Sequence, residues 1–322
     1  SMPGRSIVQW DKDDCEDLGI IKVDLLGLGM MAAIEETLQI CSARGRPVDL
    51  AQIPKDDAAT FTMLQRADTI GLFQVESRAQ QACLPRMRPE VFYDVVIQTA
   101  LIRPGPIVGN LVHPYLDRRR GKQPVTYLDA RFEPILKRTL GIPLFQEQVL
   151  RMAMVIADFS GSEAEELRRA LSFKRSEEKM DKVLEKLCSA MTRKCVRKEK
   201  QEKIIASIRA FALYGFPESH AISFALLAYA SAWLKVHRTT EFYVGLLNNQ
   251  PMGFYSADTL IRDARRWGVC VAPVCAVASE RRCVIESPSR IRLGLRQVRH
   301  VSARVIDRLL EERMAQAFTD LD

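Results

Sequence analysis

Between Phe211 and His237 the chain reads FALYGFPESHAISFALLAYASAWLKVH. From Ala221 to Val236 this stretch is apolar nearly all round a helix. A helix without a polar face has to be covered on every side, so it belongs at the centre of a body made of other helices. The uninterrupted part, Ala221–Leu234, carries Ser223 and Ser231 and is shorter than a bilayer span. It therefore predicts a core helix and no membrane partner. Gly215 and Pro217 break the chain just before it, and Ser219 can start it.

The rest of the sequence supplies the covering helices. Met30, Ile34, Leu38 and Cys41 recur at helical spacing, and Gly45 can end that helix. A short helix is predicted over Asp57–Gln65 and an extended stretch over Gly71–Glu76. Ser77 can cap a helix running to about Met87. Arg103-Pro104-Gly105-Pro106 has to be a fixed turn. Ser162-Glu163-Ala164-Glu165 reads as a capping box, so a helix carrying Arg168 and Arg169 begins there. Met180, Val183, Leu184, Leu187 and Met191 stripe one face of Ser176–Met191. Another apolar-striped helix covers Ile204–Leu213, and Ser256 caps one that ends at Gly268. Beyond it the pattern changes to short strands at 269–272, 282–285 and 290–295 and a last amphipathic helix over 302–314. The opening, Ile7–Leu28, reads as strands or strand remnants around an acidic loop at Asp11–Asp17. The fold class expected is mainly α, with one core built around Ala221–Val236.

Hydrophobic residues make up 47% of the 322, which excludes a disordered chain. The formal net charge is +7, a moderate basic surplus. It is clustered at Arg118-Arg119-Arg120 with Lys122, at Arg168-Arg169, at Lys174-Arg175 and from Arg193 to Lys200. Each cluster alone is commonly a solvated face; together they suit a phosphate-rich partner. The eight cysteines form no CxxC pair. Cys270, Cys275 and Cys283 lack a convincing fourth ligand, so free thiols in a reducing cytoplasm fit better than a zinc site.

Three constellations could carry chemistry. Ile20–Leu28 reads IIKVDLLGL and sets Lys22 and Asp24 on one face of a strand-like run. An acid and a lysine there suit a metal and a phosphate, although a salt-bridged strand end explains them as simply. Arg168 and Arg169 sit about 100° apart on their helix. Their guanidinium forks suit phosphate oxygens, while pairing with Glu165 and Glu166, three residues before each, is the plainer account. Ser219 and His220 lie at the amino end of the core helix, where free amides and partial positive charge make a seat for an anion. The polar sets Gln74–Arg78 and Gln146-Glu147-Gln148 read as hydrogen-bonded struts or site walls. There is no GxxxxGK[ST], GxGxxG, HExxH or GxSxG, which argues against P-loop, Rossmann, zincin and hydrolase-elbow enzymes.

VQWDKDDCEDLGIIKVDLLGL, LFQVESRAQ, ALIRPGP, GIPLFQEQV, ELRRALSFK, YGFPESH and AYASAWLKVH occur in that order. In this the chain resembles the bacterial C-family replicative DNA polymerase, the alpha subunit of DNA polymerase III. The resemblance covers essentially the whole chain. It implies that Asp24 is the third catalytic acid of the palm and a Mg2+ ligand, and that Lys22 contacts the incoming triphosphate. It implies that Arg168 and Arg169 reach the triphosphate from the fingers, and that Gly215, Ser219 and His220 lie near the nascent base pair. Primer-template DNA and dNTP are the implied partners, with Arg118, Arg119, Arg120, Lys174 and Arg175 as DNA contacts. A sliding clamp and mutasome partners would be met through regions outside this chain, in a bacterial, nucleoid-associated cytoplasmic setting.

The implied domains are the end of the palm at 1–29, helical fingers at 30–275 and the start of a duplex-binding, helix-hairpin-helix-like region at 276–322. The implied architecture is multi-helical fingers with a small α+β palm remnant in front and a short β-hairpin and helix behind. Pro217 and Glu218 stand where the replicative pattern has Asn and Lys, and this resembles the error-prone branch of the family, which serves damage-induced mutagenesis. The hairpin turn Val298–Ser302 has no glycine, which sets phosphate binding there in question. The run that carries the family's first two catalytic acids does not occur. The chain is thus expected to be an inactive fragment of an error-prone polymerase; the alternative is a non-catalytic DNA-binding scaffold.

Overall fold

The structure is a computed structural model. It describes residues 10, 12–19, 27–102, 109–172, 177–212, 216–253, 255–316 and 318. In chain order the helices are α1 (Lys12–Asp17), α2 (Leu28–Ala43), α3 (Ala58–Gln65), α4 (Arg78–Met87), α5 (Phe92–Leu101), α6 (Gly109–Arg119), α7 (Glu133–Leu136), α8 (Gln146–Ala157), α9 (Gly161–Ser172), α10 (Glu177–Arg193), α11 (Lys198–Ala212), α12 (Glu218–His237), α13 (Thr239–Asn248), α14 (Ala257–Arg266) and α15 (Ala303–Ala315). Strands β1 (Cys270–Ala272), β2 (Val284–Ser287) and β3 (Arg290–Arg292) form one sheet in the order β1-β3-β2. β2 and β3 are a bulged antiparallel pair, and β1 lies parallel to β3. The mainly α expectation holds.

The second half of α12 is covered on all sides: Ala228, Tyr229, Ala230, Ser231, Ala232, Leu234 and Lys235 are buried. Its first half leaves Ser219, His220, Ser223 and Leu226 exposed. Small alanines let α5 and α3 pack close on it. The stripe on α10 is buried throughout, from Met180 to Met191. Ser77, Ser256 and Ser302 each accept the amide three residues on and start α4, α14 and α15.

The hydrophobic interior is in two pieces, against the expectation of one. A larger core joins α2–α6, α12–α14 and the sheet, including Val271 and Ile291, with Cys283 just before β2. A second gathers α7–α11 around Leu167, Leu187, Ile204 and Phe211. The chain crosses between them several times, among them from Phe145, in the first core, to Val149, in the second.

Two local expectations are corrected. Asp11–Asp17 was expected as a loop, but Lys12–Asp17 is helical; acids are poor strand formers and favour a helix's first turn. Gly71–Glu76 is not extended. Gly71 and Gln74 have φ of 76° and 64°, so the segment turns on itself. Arg103–Pro106, the expected fixed turn, lies outside the described residues, as does the strand-like run at 20–26.

Candidate functional site

Helix α9 is capped two residues before Ser162. Its capping box is Ser160 with Glu163: Glu163 Oε2 accepts the Ser160 amide at 2.8 Å, and Ser160 Oγ accepts the Glu163 amide at 3.3 Å. Glu165, assigned to the box by the sequence reading, turns to the arginines instead. Arg168 grips it with two hydrogen bonds of 2.8 and 2.7 Å, and Arg169 Nε reaches the same carboxylate at 3.2 Å. These bonds, Arg168's foremost, hold the Glu165 carboxyl down at about 2. Glu166 pairs not with Arg169 but with Lys186, at 2.8 Å. The two arginine side chains are 45% and 70% exposed. Exposed helix pairs of this kind contribute about 0.3–0.5 kcal/mol, so a polyphosphate can displace Glu165 at small cost.

The start of α12 is assembled from distant chain. Pro217 stands at the cap position in extended conformation. The Glu218 amide donates to Glu147 Oε2 at 2.9 Å, and Glu218 Oε1 accepts the Tyr93 hydroxyl at 2.6 Å. That bond and burial raise the Tyr93 phenol, burial foremost. Arg138 stacks on the Tyr93 ring at 3.4 Å. Glu218 is thus half-buried on a helix, not in a loop, and the anion seat foreseen at this helix start holds the protein's own Glu147 carboxylate. His220 lies against Phe216 and Phe224, with ring centroids 5.1 and 4.3 Å away.

Gln146 joins these two elements. Its backbone amide donates to Phe216 O at 3.0 Å, and its side chain donates to Arg168 O at 3.3 Å. Gln148 is a strut, as foreseen, accepting the Leu144 and Phe145 amides and donating to Ile135 O and Thr139 Oγ1. Gln146, Glu147 and Tyr93 were missed as site residues. The only local signal was a polar triplet in apolar surroundings.

The basic triplet does not present three free cations. Arg119 makes a two-pronged bond to Asp94, at 2.7 and 2.6 Å, and also donates to Met87 O and Arg88 O. Arg118 donates to Leu140 O at 2.6 Å. Both guanidiniums brace the fold, while Arg120 is exposed.

In the C-terminal hairpin, His300 takes a φ of 65°, the left-handed turn conformation that glycine would otherwise supply. Histidine is among the residues that adopt it most readily. The turn thus forms without glycine, and Arg296, Arg299, His300 and Arg304 are exposed around it.

Lys22, Asp24, Lys174, Arg175 and Gly215 lie outside the described residues. Among the described residues no group of three or more His, Cys, Asp or Glu is arranged to hold a metal ion. The described side chains therefore do not by themselves make the metal centre that the resemblance implies. Among them, too, no helix is long and apolar enough to cross a membrane.

Comparison with known families places residues 30–195 on the bacterial DNA polymerase III alpha subunit finger domain and residues 268–322 on a helix-hairpin-helix motif. The chain is 47% identical over 344 residues to an error-prone DNA polymerase of Methylococcus capsulatus, which covers 100% of the chain and 33% of that protein. It is 47% identical over 327 residues to one of Pseudomonas aeruginosa, covering 100% of the chain and 32% of the relative. It is 46% identical over 333 residues to error-prone DNA polymerase 1 of Agrobacterium fabrum, covering 100% and 30%. The chain spans about a third of the length of these curated relatives.

Proposed function

Since the chain belongs to the family of the bacterial DNA polymerase III alpha subunit, through its finger domain, we propose that it is the fingers portion of an error-prone DNA polymerase. In the intact enzyme it would bind the triphosphate of an incoming dNTP over primer-template DNA. The relatives, error-prone DNA polymerases themselves, support the error-prone reading. The observation that carries the nucleotide-binding part is the exposed Arg168–Arg169 pair, set side by side on one helix and sharing the Glu165 carboxylate. Positive, forked donors on a helix face are what a transferring phosphoryl group needs. Lys22, Gly215, Ser219 and His220 complete the proposed nucleotide set. Asp24 is proposed as one carboxylate of a Mg2+ site completed by acids outside this chain.

DNA contacts are proposed for Arg120, Lys174 and Arg175. Arg118 and Arg119 are proposed to act indirectly, by bracing α6. The hairpin at 298–302 with Arg299 and Arg304 is the proposed backbone-gripping element. The proposed division is palm end at 1–29, fingers at 30–275 and duplex-binding region from 276, with β1 pairing across that second border. Clamp and mutasome contacts would lie elsewhere in the intact protein.

Primer extension by the intact polymerase tests the reading. Asp24→Asn should nearly abolish incorporation. Arg168→Ala or Arg169→Ala should lower kcat/KM for dNTP by roughly one to two decades, the worth of a charge-assisted phosphate contact. Unchanged kcat/KM with a lowered melting temperature would make the arginines helix struts. DNA binding without any extension by the wild-type intact protein would favour a scaffold.

A further inference from the structure

Gln146 and Glu147 stand where the two cores meet. The arginine helix α9 belongs to the second core, through Leu167, Ala170 and Leu171. Helix α12 belongs to the first, through Ala221, Ala225 and Ala228. Gln146 is bonded to α9 and to the segment that leads into α12: its carboxamide holds Arg168 O, and its amide holds Phe216 O. Glu147, the next residue, seats the first amide of α12 at 2.9 Å. Glu218, whose amide is so held, is anchored on its other side by Tyr93 of the first core. Two adjacent residues thus fix the backbone under Arg168 and the backbone leading into Ser219 and His220. A rigid element joining two parts of a binding constellation sets their separation, and errors of about 1 Å there can cost large factors in rate.

We propose that Gln146 and Glu147 are positioning residues. They would set the distance between the triphosphate-binding arginines on α9 and the Ser219–His220 turn. They touch neither the nucleotide nor DNA in this role; they act through Arg168 and through the start of α12. The inference rests on the reading of Arg168 as a triphosphate contact.

Single-nucleotide incorporation by the intact polymerase tests it, with melting temperature measured beside it. Gln146→Ala removes only the bond to Arg168 O, and it should raise KM for dNTP about three- to tenfold while kcat changes less than about twofold. Glu147→Ala should do the same, and Glu147→Gln should restore KM to near the wild-type value, because its carboxamide oxygen can accept the same amide. Adding Gln146→Ala to Arg168→Ala should raise KM by less than about twofold further, since coupled residues are not additive. If Gln146→Ala and Glu147→Ala leave KM unchanged while Arg168→Ala raises it, the positioning role is wrong and the arginine reading stands. Full additivity with Arg168→Ala also refutes the positioning role. An unchanged kcat/KM in Arg168→Ala itself would remove the arginine reading and this inference with it. If Glu147→Ala fails to fold, Gln146→Ala and its double mutant decide the matter.

Discussion

At the scale of single residues, Glu76 is out of balance with its surroundings. Its Oε2 is buried with no hydrogen-bond partner among the described residues, and a Cβ on Gly253 would lie 2.9 Å from Oε1. Burial pushes the carboxyl up to about 7. An ordinary glutamate in the unfolded chain titrates near 4.3. Between those values the folded protein holds a proton that the unfolded chain releases. Stability therefore falls as pH rises from about 4.3 to 7, by at most about 4 kcal/mol, and stays reduced above that. Glu76→Gln should unfold at higher urea concentration than the wild type at pH 8, by about 1–3 kcal/mol, and at nearly the same concentration at pH 4. A difference that does not change between the two pH values would mean that Glu76 finds a partner in solution. The sequence groups Glu76 with Ser77 as struts or site walls; Ser77 is a helix cap, and Glu76 Oε2 is not hydrogen-bonded as a strut would be.

At the scale of elements, α2 and α13 pack closely. Gly245 faces Ala33 and Thr37, and a Cβ there would meet Ala33 O at 2.6 Å and Thr37 Oγ1 closer still. Both groups already bond to each other at 2.7 Å, so neither can move without losing that bond. Alanine normally favours a helix over glycine by about 1 kcal/mol. Here overpacking should win, and Gly245→Ala should destabilise the chain by about 1–3 kcal/mol in urea denaturation. A stabilising effect would show that the two helices can separate freely. Glu36 ties the same helix pair to the C-terminal module by accepting from Asn248, Asn249 and Arg282.

At the scale of the whole molecule, four segments of the larger core meet at one buried cation. Lys235 of α12 is fully buried and donates to Asp263 of α14 at 2.8 Å and to Ile70 O at 2.9 Å. Tyr243 of α13 donates to the same Asp263 oxygen at 2.6 Å. Burial pulls the lysine down, and Asp263 opposes it. Removing one partner leaves the other charge buried, so Lys235→Met or Asp263→Leu should each cost about 3–5 kcal/mol. The double variant should cost clearly less than their sum, as judged by urea midpoints. Simple additivity would mean that the charges are solvated independently.

Much of this architecture was legible in the sequence because it depends on near neighbours. The all-round apolar run of α12, the stripe on α10 and the serine caps of α4, α14 and α15 follow from spacings of three and four residues. Those spacings hold wherever a helix forms. The candidate site was legible only where a motif carried it, as with Arg168 and Arg169. Its supports were not. The Glu147–Glu218 and Tyr93–Glu218 bonds join residues 71 and 125 apart in sequence, and no local pattern announces such a pairing. The commitment of Arg118 and Arg119 to carbonyls and Asp94, the left-handed His300 and the division into two cores were likewise decided by folding. Each depends on which groups lose water together, and that is settled only when distant segments pack and a buried donor has to find an acceptor.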